Sequence, residues 1–163
     1  MSDQPPNVEG RDDRSDDVTE VDLPSWCRLL AATLAAEGVA ARAEASLSLV
    51  DPSRIADLNA EHLGGSGPTD VLSFPIDGTG PVADDEPWLV GDVVLCPEVA
   101  AAQAPTHAGT VDDELALLVV HGALHLCGWD HATPDEQVAM QRRERELLTA
   151  LHGVPGRDPW AAA

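Results

Sequence analysis

His121-Gly-Ala-Leu-His125-Leu-Cys-Gly128-Trp-Asp-His131 places three imidazoles at the spacing of metal ligands. His121 and His125 stand four residues apart, so on a helix they project from one face, one turn apart. Gly128 is free to take the left-handed conformation that ends a helix and turns the chain back, which brings His131 toward the first two. Three neutral imidazoles leave an open fourth position on one Zn2+ ion, the arrangement of a catalytic rather than a closed structural site. The competing reading is three unconnected histidines, two in a buried helix and one in a loop. It is disfavoured because a nearly all-apolar helix rarely carries polar rings without partners.

Outward from this segment, the helix is expected to run from about Val111 to Cys127. Asp112, Asp113 and Glu114 suit the positive end of its dipole. Leu115 to Leu126 is apolar nearly all round, which marks it as the central buried helix, carrying the metal ligands. Cys127, two residues after His125, turns away from the ligand face and reads as core filler. Thr133-Pro-Asp-Glu136 is a capping box that starts the last helix, continuing through Met140, Glu144, Leu147 and Leu148 to Gly153.

On the N-terminal side, Trp26, Leu29, Leu30 and Leu34 mark an amphipathic helix over 24–37. Residues 41–50 alternate as a strand with one buried face. Asp51-Pro52 then opens a helix with an N-cap and a proline in its first turn. Thr69 to Ile76 reads as a strand that Pro75 places at an edge. Leu89 to Cys96 is another, with Gly91-Asp92 as a possible bulge, and Pro97 starts a short helix. Three strands and about five helices, grouped rather than alternating, imply an α+β domain with a small, mostly antiparallel or mixed sheet. Residues 1–20, polar and rich in Asp and Pro, read as a disordered acidic extension, with a strand near Val8 or Val18 left open. Residues 21–153 are the expected domain, and 154–163 a loose tail.

The chain has 163 residues, 44% of them apolar, enough for one domain with a real core. No apolar run approaches the length needed to cross a bilayer, and the N-terminus is acidic rather than signal-like. Cys27, Cys96 and Cys127 are odd in number and lie in apolar segments, so they read as reduced thiols of a cytoplasmic protein. The net charge is −20, and all nine basic residues are arginines. That argues against broad, nonspecific nucleic-acid affinity, leaves room for a local cationic pocket around a metal, and favours basic protein partners.

Two family outlines share the histidine segment. The metzincin proteases have the pattern H-E-x-x-H-x-x-G-x-x-H, but Gly122 stands where that pattern needs a glutamate to deprotonate water, so the usual route to peptide hydrolysis is missing. The chain resembles the YbeY family more fully: bacterial zinc-dependent endoribonucleases that act as rRNA maturation factors. The resemblance rests on Leu58-Asn59 with Pro68-Thr-Asp-Val-Leu-Ser-Phe-Pro75, on Gly91-Asp-Val-Val-Leu-Cys96, and on the histidine segment itself, with Glu136, Met140 and Glu144 fitting the family's last helix. It covers roughly residues 20–153. It implies zinc held by His121, His125 and His131, cleavage of single-stranded RNA in maturing the 3′ end of small-subunit rRNA, and a part in ribosome quality control.

Two positions depart from that family. Trp129 stands where tyrosine is usual. His62-Leu63 stands where an aromatic residue and an arginine are often found, so the arginine's role does not carry over and the metal is left to face the phosphate. Such an ion acidifies bound water and takes up charge from a phosphate oxygen. The residues leave open whether water or the RNA 2′-OH attacks, and no residue is assigned a catalytic role. Asp130 reads equally as a support for a ligand and as a surface cap. Ser73 and Thr69 read as sheet residues before cleft residues, and Arg142, Arg143 and Arg145, alternating with Glu144 and Glu146, as a salt-bridged face. Beside the endoribonuclease stand a non-catalytic assembly factor with structural zinc, whose acidic surface docks basic ribosomal proteins, and a metallopeptidase.

Overall fold

A computed structural model of the chain describes residues 4–15 and 19–161. Strands β1 (Asn7–Asp12), β2 (Glu44–Leu49), β3 (Val71–Pro75) and β4 (Leu89–Leu95) form one sheet in the order β1-β2-β4-β3. β1 and β4 run parallel to β2, and β3 runs antiparallel to β4. The helices are α1 (Leu23–Ala36), α2 (Pro52–Leu63), α3 (Pro97–Gln103), α4 (Val111–Leu126) and α5 (Pro134–Leu151), with a 3-10 turn at Ala104–Thr106. The α+β class, the mixed sheet and the five helices match the reading of the sequence.

Period-2 patterning decides which face of the sheet is covered. In β2, Ala45, Leu47 and Leu49 are buried, while Ser46 and Ser48 point to the opposite face. The Leu47 face meets Leu30 and Leu34 of α1 and Leu115 and Val119 of α4 in the main core. A smaller cluster on the other face joins Leu72 and Val94 to Ile55 of α2. α4 is thus buried between sheet and helices, as its all-round apolar sequence requires. β3 lies at the sheet edge, where its terminal Pro75 removes no needed ladder donor. The bulge comes one residue before its expected place, at Val90: Glu44 faces Leu89, and Ala45 faces Gly91. A side chain at Gly91 (φ 151) would put its Cβ 2.5 Å from the Phe74 carbonyl oxygen.

Three expectations need correction. The acidic segment 1–20 is not disordered throughout, because β1 pairs with β2 from Asn7 opposite Glu44 to Asp12 opposite Leu49. Its side chains are mostly exposed, so the backbone ladder holds it and hydrophobic patterning gives little sign of it. Val18, the other candidate strand position, lies outside the described residues. The tail is not loose either: the Arg157 N–H donates to the Ala108 carbonyl (2.9 Å), Gly156 N–H to Asp113 (2.9 Å) and Trp160 Nε1 to Glu144 (3.3 Å). Asp51 does stand at the N-cap position of α2, but its side chain makes no capping bond there. It accepts from the backbone and hydroxyl of Ser15 instead.

Candidate metal centre

α4 begins at Thr110, whose hydroxyl accepts from the Asp113 N–H at 3.1 Å. It ends in a left-handed turn at Gly128 (φ 94), where the Trp129 N–H bonds back to the Leu124 carbonyl and the Gly128 N–H to that of His125. These paired bonds are the Schellman closure, which reverses the chain within three residues. The reversal sets His131 beside the helix, its ring centroid 5.0 Å from that of His125 and 5.6 Å from that of His121. One ligating nitrogen from each of the three histidines lies within 4.8 Å of the others.

Hydrogen bonds orient two of these rings. His121 Nδ1 donates to Glu144 Oε1 at 3.1 Å, and His125 Nδ1 donates to the Trp129 carbonyl at 2.9 Å. Each partner is an acceptor, so each Nδ1 carries a proton and each ring turns its Nε2 inward. Those two Nε2 atoms stand 3.1 Å apart. Two ring nitrogens at that distance share either a proton, as an N–H···N hydrogen bond, or a metal ion. Two nitrogens bound at about 2.0–2.1 Å to one tetrahedral ion stand about 3.3 Å apart, so the pair fits a metal of zinc's size. Burial, followed by the positive potential of His121 and His131, holds His125 below the ordinary imidazole range and keeps it in the neutral form that ligates.

The supports come from elements distant in sequence. Glu144 is 6% exposed and reaches across from α5. The Trp129 indole donates to Glu37 at the end of α1, and Glu37 also binds Arg143 through Nε and an Nη nitrogen. The segment that presents the Trp129 carbonyl is thereby tied to two helices. The carboxylate of Asp130, a candidate support for a ligand, accepts from the His131 N–H. Glu144 had a visible signal, a carboxylate within the apolar stripe Met140, Leu147, Leu148. Glu37 had none.

Cys127 stays outside the cluster, packed on the core, with burial pushing its thiol up to about 12. Two of the three α5 arginines are paired: Arg143 also binds Glu146, and Arg145 lies 3.6 Å from Asp158 of the tail.

Two clefts meet at the histidines. One, of about 710 Å3, is lined by Asn59, Leu63, Thr69, Ser73 and the cluster itself. Thr69 and Ser73 are therefore cleft residues, and Ser73 Oγ also donates to the Gly122 carbonyl at 3.0 Å. Leu63, 60% exposed, occupies the wall. The second cleft, of about 260 Å3, lies between α4, α5 and the tail. At Gly122 a Cβ would sit 2.9 Å from Val93 Cγ1 and 3.2 Å from Ser73 Oγ. The helix therefore packs closely on the sheet at the position where a metzincin places its glutamate, and a Cβ there would force Val93 to shift.

The family model described as Endoribonuclease YbeY matches residues 10–152. An endoribonuclease YbeY of Salinispora tropica is 48% identical over 128 residues, covering 74% of this chain and 82% of its own. Another from Frankia casuarinae is 44% identical over 144 residues, 85% of this chain and 70% of its own. A solution structure of a Thermotoga maritima protein shares the fold with a TM-score of 0.54 at 22% identity, covering 95% of this chain and 99% of that one. The histidine cluster, its buried supports and these similarities converge: the chain belongs to the endoribonuclease YbeY family, and that membership supports an endoribonuclease role.

Proposed function

We propose that this protein is a zinc-dependent endoribonuclease that cuts single-stranded RNA, with His121, His125 and His131 as ligands to one zinc ion. The observation that carries the reading is the pair of inward Nε2 atoms 3.1 Å apart, each ring fixed through its Nδ1. Bound zinc would supply Lewis acidity, both for charge building on a phosphate oxygen and for acidifying water. The chain's own residues orient the imidazoles, through Glu144 and the Trp129 carbonyl. Thr69, Ser73 and Asn59 offer polar groups along the cleft that leads to the ligands.

The proposed substrate is the 3′ end of small-subunit rRNA, in the cytoplasm, with a part in ribosome quality control. A net charge of −20 suits contact with basic ribosomal proteins, which would bring the enzyme to its RNA despite its own charge. A peptidase is disfavoured by the filled space at Gly122. The test is incubation of the zinc-loaded protein with small-subunit particles carrying unprocessed 3′ ends. Trimmed ends with wild type and untrimmed ends with His125→Ala are expected. No cleavage of RNA, free or in particles, would overturn the reading. Restored assembly in cells by a folded variant that cannot cut would favour a non-catalytic assembly factor.

A further inference from the structure

The smaller cleft has a composition that the metal site does not require. Its floor is apolar, made by Leu117 and Leu118 of α4 and Met140 of α5. One wall is Trp160 from the tail. Two contacts fix the plane of that indole: its N–H donates to Glu144, and the Arg145 guanidinium lies 4.7 Å from the ring centroid. Around the rim stand the side-chain amides of Gln137 and Gln141, which have no hydrogen-bond partner among the described residues. His107 completes it. Its Nδ1 is held at 2.7 Å by the carboxylate of Glu114, which is wholly buried and also accepts from Gln103 and the Ala108 N–H. The other ring nitrogen of His107 is left for the cleft. His121 and His131 form the end of the same cleft.

An apolar floor, a fixed aromatic plane and uncommitted amide and imidazole edges are what a flat heteroaromatic ring with hydrogen-bonding edges needs. The charge decides between base and phosphate. The ionisable acids lining the cleft are Asp70 and Glu144, and no arginine lines it. Away from the histidine end, a phosphate would meet like charge there, whereas a neutral base would not. We propose that this cleft is a nucleobase subsite, in which the base of a nucleotide next to the scissile phosphate lies against Trp160 and is read at its edge by Gln137, Gln141 and His107. The proposal rests on the endoribonuclease reading, to which it adds the source of affinity: stacking, in a chain whose charge disfavours binding through phosphates.

The test is equilibrium binding of the full chain to a short single-stranded RNA and to the same oligomer with abasic riboses throughout, comparing wild type with Trp160→Ala, Trp160→Phe and Gln141→Leu. Stacking on one aromatic ring is worth about 1–3 kcal/mol per base, or about 5- to 150-fold in affinity. Trp160→Ala should weaken binding of the intact RNA within that range and leave the abasic oligomer unchanged. Trp160→Phe should restore most of the loss, and Gln141→Leu should alter the preference among the four bases. Equal effects on both oligomers, or none on either, would overturn the subsite. If Trp160→Ala does not fold, the Phe and Leu variants decide: unchanged base preference with Gln141→Leu and equal binding of intact and abasic RNA by wild type would overturn it. Wild type that binds through Trp160 but cleaves no RNA would instead overturn the nuclease reading and leave the subsite standing.

Discussion

His121 Nδ1 meets Glu144 Oε1 at 3.1 Å, linking the central helix to the last helix through one partly buried hydrogen bond. This bond selects which nitrogen of His121 faces its neighbours, and so the orientation of one ligand depends on a residue 23 positions away. Removing it leaves the imidazole present but free to turn. Glu144→Ala is therefore expected to lower zinc affinity by about 10- to 100-fold, the usual cost of losing such a support. Competition against a chelator of known affinity measures it, alongside thermal unfolding to verify the fold. Undiminished affinity in the folded variant would show that Glu144 does not orient the ligand.

Gly122 sets how closely α4 approaches the sheet. A methyl group there would stand 2.9 Å from Val93 Cγ1, inside the contact distance of two carbons. Gly122→Ala should destabilise the fold by about 1–3 kcal/mol through overpacking, measured by urea unfolding. The better helix propensity of alanine offsets this by at most about 1 kcal/mol. A neutral or stabilised variant would mean that helix and sheet have room to separate.

Asp113 fastens the tail, accepting from His152 Nε2 at 2.8 Å and from the Gly156 N–H at 2.9 Å. Partial burial pushes its carboxyl up, but the Gly156, His152 and Thr110 hydrogen bonds together outweigh it, and the group titrates below the ordinary aspartate range. A lowered folded value means that its stabilisation is fully present above the ordinary range and is lost as pH falls through the folded value. Asp113→Asn should cost about 1 kcal/mol near neutral pH, with the gap to wild type closing in acid. It should also expose the Arg157 amide, which in wild type donates to Ala108, to faster hydrogen exchange. Equal exchange in both proteins would contradict the clamp.

What the sequence made legible was whatever follows from local geometry. The i, i+4 spacing of His121 and His125, the turn at Gly128, the cap at Thr133 and the edge position of Pro75 all depend on neighbours within a few residues. What stayed hidden depends on distant partners. β1 buries little and is held by backbone bonds to β2, so its composition resembles that of a disordered acidic segment. Trp160 is a lone aromatic in a Gly- and Pro-bearing tail, and its place beside Glu144 follows only from the packing of α5. Glu37 supports the histidine-bearing loop through Trp129 and Arg143 across about a hundred residues, which no spacing rule anticipates.

The central claim is that three histidines share one ion. Zinc stoichiometry by equilibrium dialysis, combined with X-ray absorption at the zinc edge, tests it most directly. One zinc per chain is expected, with three imidazole nitrogens at about 2.0–2.1 Å, and loss of that zinc in His125→Ala. A wild-type protein that binds no zinc, or a His125→Ala protein that keeps the same zinc with the same neighbours, would contradict it.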